Sequence, residues 1–209
     1  MHDWVVSFDL NSLYPHLIMQ YNISPETKID QMKDYMITPD GVLSGSKSTK
    51  DALVKSKNEK HSIAANGTCY TKSHQGFLPA LMEKLYKERK TFKKKMIECQ
   101  KERQTILKSG SLGADVKKLL NEKDKEIAKY NNFQMVRKIQ LNSAYGAIGN
   151  EWFRYFDVDM AEAITLSGQL SIRWIADRLN EFLNETIGTE EYDYVVASDT
   201  DSVYLRCGN

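Results

Sequence analysis

From residue 80 to residue 109 the chain contains neither glycine nor proline, and after a short break at Ser109-Gly110-Ser111-Leu112-Gly113 it resumes the same character. Runs of good helix formers this long predict two helices, over residues 77–109 and 114–144, because a glycine or proline inside a helix costs about 1 to 3 kcal/mol and tends to end it. Each helix of ~30 residues would extend about 45 Å at ~1.5 Å per residue. Leu81, Leu85, Phe92, Met96 and Cys99 on the first, with Leu120, Ile127, Tyr130 and Leu141 on the second, supply the facing seam of an antiparallel hairpin. A pair this long has to protrude from whatever single core the remaining residues of a 209-residue chain can build.

The rest of the chain reads as strands that end in carboxylates. Asp199-Thr200-Asp201-Ser202 lies between Val195-Val196 and Val203-Tyr204-Leu205, the pattern of a hairpin with acidic residues at its tip. A second acidic strand end, Val5-Val6-Ser7-Phe8-Asp9-Leu10, stands 192 positions before Asp201. If the fold sets Asp9 beside Asp201, the pair can hold two metal ions about 3.5 to 4 Å apart for phosphoryl transfer. A third helical stretch, residues 161–183, repeats apolar positions at Ile164, Ile172, Ile175, Leu179 and Leu183 and should pack against that sheet. Ser24-Pro25-Glu26 suggests a helix start. Residues 28–74, rich in Gly, Ser, Thr and Lys, read as a loop-rich insertion with no assigned elements. The class is α+β.

Several chemistries are excluded or disfavoured by the same residues. Formal net charge is +1, so any attraction to nucleic acid has to come from a local basic surface. No run reaches the ~18 apolar residues of a membrane span, and the first residues do not have the pattern of a signal peptide. Cys69, Cys99 and Cys207 are odd in number and far apart, as free thiols are. The acidic turn lacks the glycine that a calcium loop requires at its sixth position. His2, His16, His61 and His74 form no nucleophile-and-base pattern. Asp157 and Asp159 read as surface residues.

The first long helix is basic: residues 80–103 hold nine Lys or Arg against four Glu. Arg89 and Lys93, at i and i+4, point the same way, as do Lys138, Asn142 and Tyr145 at i, i+4 and i+7 on the second helix. A solvated face is the plain reading of such charge. If the two faces meet, their groups are those a triphosphate needs, a guanidinium fork and compact ammoniums.

Three of these segments together resemble a known family. Phe8-Asp9-Leu10-Asn11-Ser12-Leu13-Tyr14-Pro15, with Asn22-Ile23-Ser24-Pro25-Glu26-Thr27 behind it, resembles motif A of family B DNA polymerases. Lys138-Ile139-Gln140-Leu141-Asn142-Ser143-Ala144-Tyr145-Gly146 resembles motif B, and Asp199-Thr200-Asp201-Ser202 resembles motif C, in the family order. The block from Gly146 to Tyr155 looks like the branch found in T-even-type tailed phages. The resemblance implies a palm of antiparallel sheet with packed helices, residues 1–76 and 149–209, bearing a protruding two-helix fingers element over 77–148, with exonuclease and thumb absent. It implies template-directed DNA synthesis in the cytoplasm of an infected bacterial host.

Asp9 and Asp201 would hold two Mg2+ ions, for which Mn2+ can substitute, with the Leu10 carbonyl as a further ligand and Asp199 beside them. Ser12 and Leu13 would offer amides to the triphosphate, and Tyr14 would lie beneath the sugar. Arg89, Lys93 and Lys138 would grip phosphates, Lys138 also giving a proton to pyrophosphate. Asn142 and Tyr145 would line the base-pair pocket. Partners implied are primer-template DNA, deoxynucleoside triphosphates, and exonuclease and thumb portions in cis or as separate chains, with no membrane. The chain departs from the family at Ala197-Ser198, where Tyr-Gly is usual. That departure, with the missing parts, keeps a noncatalytic DNA-binding or assembly subunit as the alternative.

Overall fold

The computed structural model describes residues 4–109 and 113–208. The glycine break after Ser109 therefore lies outside the described residues. Contacts divide the chain into two compact units, one running up to Ala80 and resuming at Tyr145, the other Leu81–Ala144.

The first unit holds two small antiparallel sheets. One is built from β1 (Val5–Asp9), β5 (Val195–Asp199) and β6 (Ser202–Arg206), with β6 in the centre. The other comprises β2 (Lys28–Gln31), β3 (His61–Ile63) and β4 (Thr68–Thr71), with β4 in the centre. Helix α6 (Val158–Ile187) buries Met160, Ala163, Ile164, Ser167, Gly168 and Ile172, the i, i+3, i+4, i+7, i+8 pattern of one helix face. As expected from its apolar repeat, α6 packs on the first sheet: Ile172 joins Tyr194, Val203 and Leu205, with Ile175, Leu179 and Leu183 closing the edge.

Helix α1 (Leu13–Tyr21) also packs on α6, and Asn22 ends it in the left-handed conformation, φ 60°. The insertion is more ordered than its composition suggested. Besides β2 to β4 it contains a 3-10 turn at Lys33–Tyr35, α2 (Pro39–Leu43) and α3 (Lys47–Asn58). Thr38 and Ser46 begin the two helices, each accepting the amide three residues on, at Gly41 and Thr49.

Ser24-Pro25-Glu26 does not start a helix. It forms a turn, Thr27 N donating to the Ser24 carbonyl at 3.1 Å, and its side chains cap α4 (Phe77–Lys108) instead. The Phe77 amide donates to Glu26 Oε1 at 2.5 Å and the Gly76 amide to Asn22 Oδ1 at 2.8 Å. The Leu78 amide lies 3.4 Å from Ser24 Oγ. Asp157 and Asp159 are likewise more than surface residues. Asp157 caps α6 through the Met160 amide, and Lys28 Nζ reaches both carboxylates, at 2.8 and 2.7 Å, tying the insertion to the helix.

The second unit is an antiparallel pair of α4 with α5 (Ala114–Ile148). Partners run in opposite directions along the two helices: Glu88 with Arg137, Phe92 with Phe133, Cys99 with Glu126, Arg103 with Asp124. Cys99 and Leu141 are buried as expected. Leu81 is not, at 43% exposed, and Met82 takes the inward position instead.

Candidate active site

The acidic strand ends meet. In the register of β1 on β6, Asp9 stands opposite Ser202, and in that of β5 on β6, Asp199 stands opposite the same residue. Directly opposed residues share a face of the sheet, so Asp9, Ser202 and Asp199 form one row, its outer main chains about 10 Å apart at ~4.8 Å per strand. Asp201 sits in the turn beyond, and its carbonyl accepts the Leu10 amide at 2.7 Å. One hydrogen bond thus closes the gap of 192 positions between the two acidic motifs.

The turn is held by its own hydroxyls, Thr200 Oγ1 donating to Asp199 Oδ1 at 3.0 Å and Ser202 Oγ to the Asp199 carbonyl at 3.1 Å. Thr200 at φ 42° and Ser12 at φ 58° are both left-handed, so each loop flanking the acidic row carries a strained backbone. None of the ion pairs among the described residues uses Asp9, Asp199 or Asp201. Three carboxylates left without a basic partner offer oxygen donors, the kind that suit magnesium rather than zinc. Among the described residues no group of three or more such side chains converges closely enough to cage an ion unaided.

Near Asp201 stands Tyr14. Its ring lies 4.8 Å from that of Tyr145, tilted by 55°. Burial, then Tyr145 and then Asp201 push the Tyr14 phenol above its ordinary value, which puts the Asp201 charge within reach of the hydroxyl. Beneath the ring is Gly168 of α6, where a β-carbon would lie 3.0 Å from Tyr14 Cε1. Gly168 was not singled out from the sequence, since a lone helical glycine gives no signal until its neighbour is known. We expect Gly168→Ala to cost about 1 to 3 kcal/mol in denaturant unfolding, as overpacking does. In a Tyr14→Ala background the same substitution should cost clearly less. Equal costs in both backgrounds would show that the ring does not press on this glycine.

The Ser12 side chain makes no capping hydrogen bond to α1, whose first turn follows directly on it. An uncapped helix start leaves amides pointing outward, a place where a phosphate can be bound.

On the helical hairpin, Arg89 and Lys93 lie one turn apart on α4, and Lys138 and Asn142 one turn apart on α5. Lys93, Lys138 and Asn142 are exposed, and Arg89 is half-buried. Among the charged contacts inside the hairpin is that of Arg137, which bonds Glu88 at 2.9 Å and lies over the Phe92 ring at 5.3 Å. Sequence spacing had passed over Arg137. Ala197 is exposed on β5 opposite Tyr204, so the acidic face of the sheet keeps a ring one strand away.

The family model described as DNA polymerase family B matches residues 1–111 and 113–209. The chain is 35% identical to the DNA-directed DNA polymerase of Enterobacteria phage T4 over 97% of its length, and 35% identical to that of Escherichia phage RB69 over 98%. It spans about a quarter of each of those proteins, 25% in both cases. Among solved structures, the family B DNA polymerase of the archaeon Pyrobaculum calidifontis shares the fold, with a TM-score of 0.57 at 22% identity, over 100% of this chain and 21% of that one. No helix among the described residues is long and apolar enough to cross a membrane. With the acidic motifs joined at one sheet edge and the match running along essentially its whole length, the chain belongs to DNA polymerase family B, of the T4 type.

Proposed function

We propose that this chain is the palm and fingers portion of a phage replicative DNA polymerase, acting in the cytoplasm of an infected bacterium. Residues 1–76 and 149–209 form the palm and 77–148 the fingers. The observation that carries the reading is the Leu10 to Asp201 hydrogen bond with Asp9 in register opposite Ser202. It puts the two acidic motifs at one edge, which a surface acidic turn has no reason to do. The relatives named as DNA-directed DNA polymerases support the same activity.

Asp9 and Asp201, helped by the Leu10 carbonyl and Asp199, are the residues that would hold two magnesium ions. Bound there, magnesium supplies a lowered pKa for the primer 3′-hydroxyl and charge stabilisation for the departing pyrophosphate. The chain's own residues do the rest. The Ser12 and Leu13 amides at the uncapped start of α1 receive triphosphate oxygens. Tyr14, fixed between Tyr145 and Gly168, underlies the sugar and leaves no room for a 2′-hydroxyl. Arg89, Lys93 and Lys138 hold phosphates, Lys138 giving its proton to the leaving group, and Asn142 and Tyr145 bound the base-pair pocket. Exonuclease and thumb portions complete the assembly, in cis or as further chains.

The test is primer extension on a DNA template with magnesium, by the chain alone and together with the exonuclease and thumb portions from the same source. Extension in the complete assembly, with deoxynucleotides strongly preferred over ribonucleotides, is expected. Silence, with the portions shown to associate and to bind DNA, would favour a noncatalytic DNA-binding subunit instead.

A further inference from the structure

An open cavity of about 470 Å3 lies away from the acidic row, between α1, α3 and the sheet of β2 to β4. Lys57, Lys60 and Lys72 stand at its rim, brought there by the last turn of α3, the turn that follows it and the residue just after β4. No Asp or Glu lines it. Its floor is built: Ser56 Oγ donates to the His61 carbonyl at 3.0 Å, and Ser62 Oγ to the Tyr21 carbonyl at 2.5 Å. Among the described residues none of the three ammoniums has an ion-pair partner, whereas Lys28 and Lys123 elsewhere each have two carboxylates.

The α3 C-terminus accounts for a cation at Lys57, because helix ends favour positive charge there. It does not account for Lys72. Nor does it account for Lys60, which is held at φ 55°, a conformation glycine or asparagine would take without strain. Three like charges around one hollow, one of them on a strained backbone, make a local field that attracts a polyanion.

We propose that this cavity binds the phosphodiester backbone of a nucleic acid strand, at a second contact separate from the acidic edge. The chemistry at the rim reads charge rather than identity. It offers compact ammoniums and no guanidinium fork to fix an oxyanion's orientation. Of the two rings in the lining, Tyr21 has its hydroxyl bonded to Ser167 and His61 turns Nδ1 to Glu59 at 3.4 Å, so the site presents cations rather than a stacking platform.

The test is binding of a fluorescent single-stranded DNA to the 209-residue chain across a salt series. Replacing Lys57, Lys60 and Lys72 with Gln should lower affinity at low salt about tenfold and flatten the slope of log affinity against log salt by ~2, at ~0.7 per lost contact. Replacing all three with Arg should retain both. Replacing Lys108, Lys117 and Lys118 with Gln, the same change of net charge elsewhere, should have little effect. Lys60→Gly is the decisive single variant: relief of the left-handed backbone should leave it melting no lower than the parent, while its salt slope falls by ~0.7. An unchanged slope in the triple Gln variant, or an equal loss in the control, overturns the proposal. So does a site that binds tripolyphosphate and loses it in the triple variant while DNA binding is unchanged, which would mark a free polyphosphate as the ligand.

Discussion

Asp201→Asn is expected to lower primer extension by the completed assembly by about a thousandfold or more, roughly 4 kcal/mol of transition-state stabilisation. The substitution keeps the size of the side chain and leaves the Asp201 carbonyl, which accepts the Leu10 amide, untouched. Folding should therefore survive, and the loss falls on the charge alone. Asp9→Asn should cost as much. The double variant should be scarcely worse than either single one, because two residues that serve one cation site act as a unit.

A second readout does not depend on catalysis. Carboxylates gathered at one sheet edge repel one another, and a bound cation relieves that repulsion. Magnesium should therefore raise the melting temperature of the isolated chain, by an amount equivalent to ~2.7 kcal/mol at a hundred times its dissociation constant. Either Asn substitution should blunt that rise. Full extension by Asp201→Asn would remove this carboxylate from the centre. Melting indifferent to metal would mean that the pair does not assemble in the chain by itself.

The sequence made the acidic hairpin, the long helices and the strand before Asp9 legible, because each is a local pattern: alternation into a turn, or ~30 residues without a helix breaker. Periodicity also located the buried stripe of α6. The failures came where a local signature serves a distant element. Ser24-Pro25-Glu26 has the chemistry of a helix cap, but the helix it caps begins some fifty residues later. Asp157 and Asp159 look like surface charge until Lys28, more than a hundred residues away, is seen between them.

The insertion escaped assignment for another reason: its helices are short, and α3 buries only Thr49, Ala52 and Ser56, a face too small and polar to register as amphipathic. At the site, Asp9 opposite Ser202 could be anticipated only as a conditional, since pairing of strands so far apart in sequence is a property of the fold. Gly168 and Arg137 gave no signal at all. Each acquires meaning only from the ring it touches.

Asn22→Ala should be among the most damaging single changes for stability, at about 2 to 4 kcal/mol, though Asn22 touches none of the candidate catalytic groups. Its amide nitrogen donates to the Thr71 and His74 carbonyls at 2.7 and 2.8 Å, and its Oδ1 accepts the Gly76 amide at 2.8 Å. Three bonds from one side chain thus tie the end of α1 to the end of β4 and the start of α4. Losing them strands two partly buried main-chain groups, the Thr71 carbonyl and the Gly76 amide, at roughly 1 kcal/mol each, and alanine must also hold φ 60° without asparagine's tolerance for it. Asn22→Gly separates the two costs: it keeps the backbone easy and loses only the bonds, so it should destabilise by about 1 kcal/mol less than alanine. Asn22→Asp keeps the acceptor and loses both donations. The ordering Asn, then Gly, then Ala in urea unfolding is the expected result. If Gly and Ala prove equal, the left-handed cap carries no strain, and if all three match the parent, this junction does not hold α4 in place.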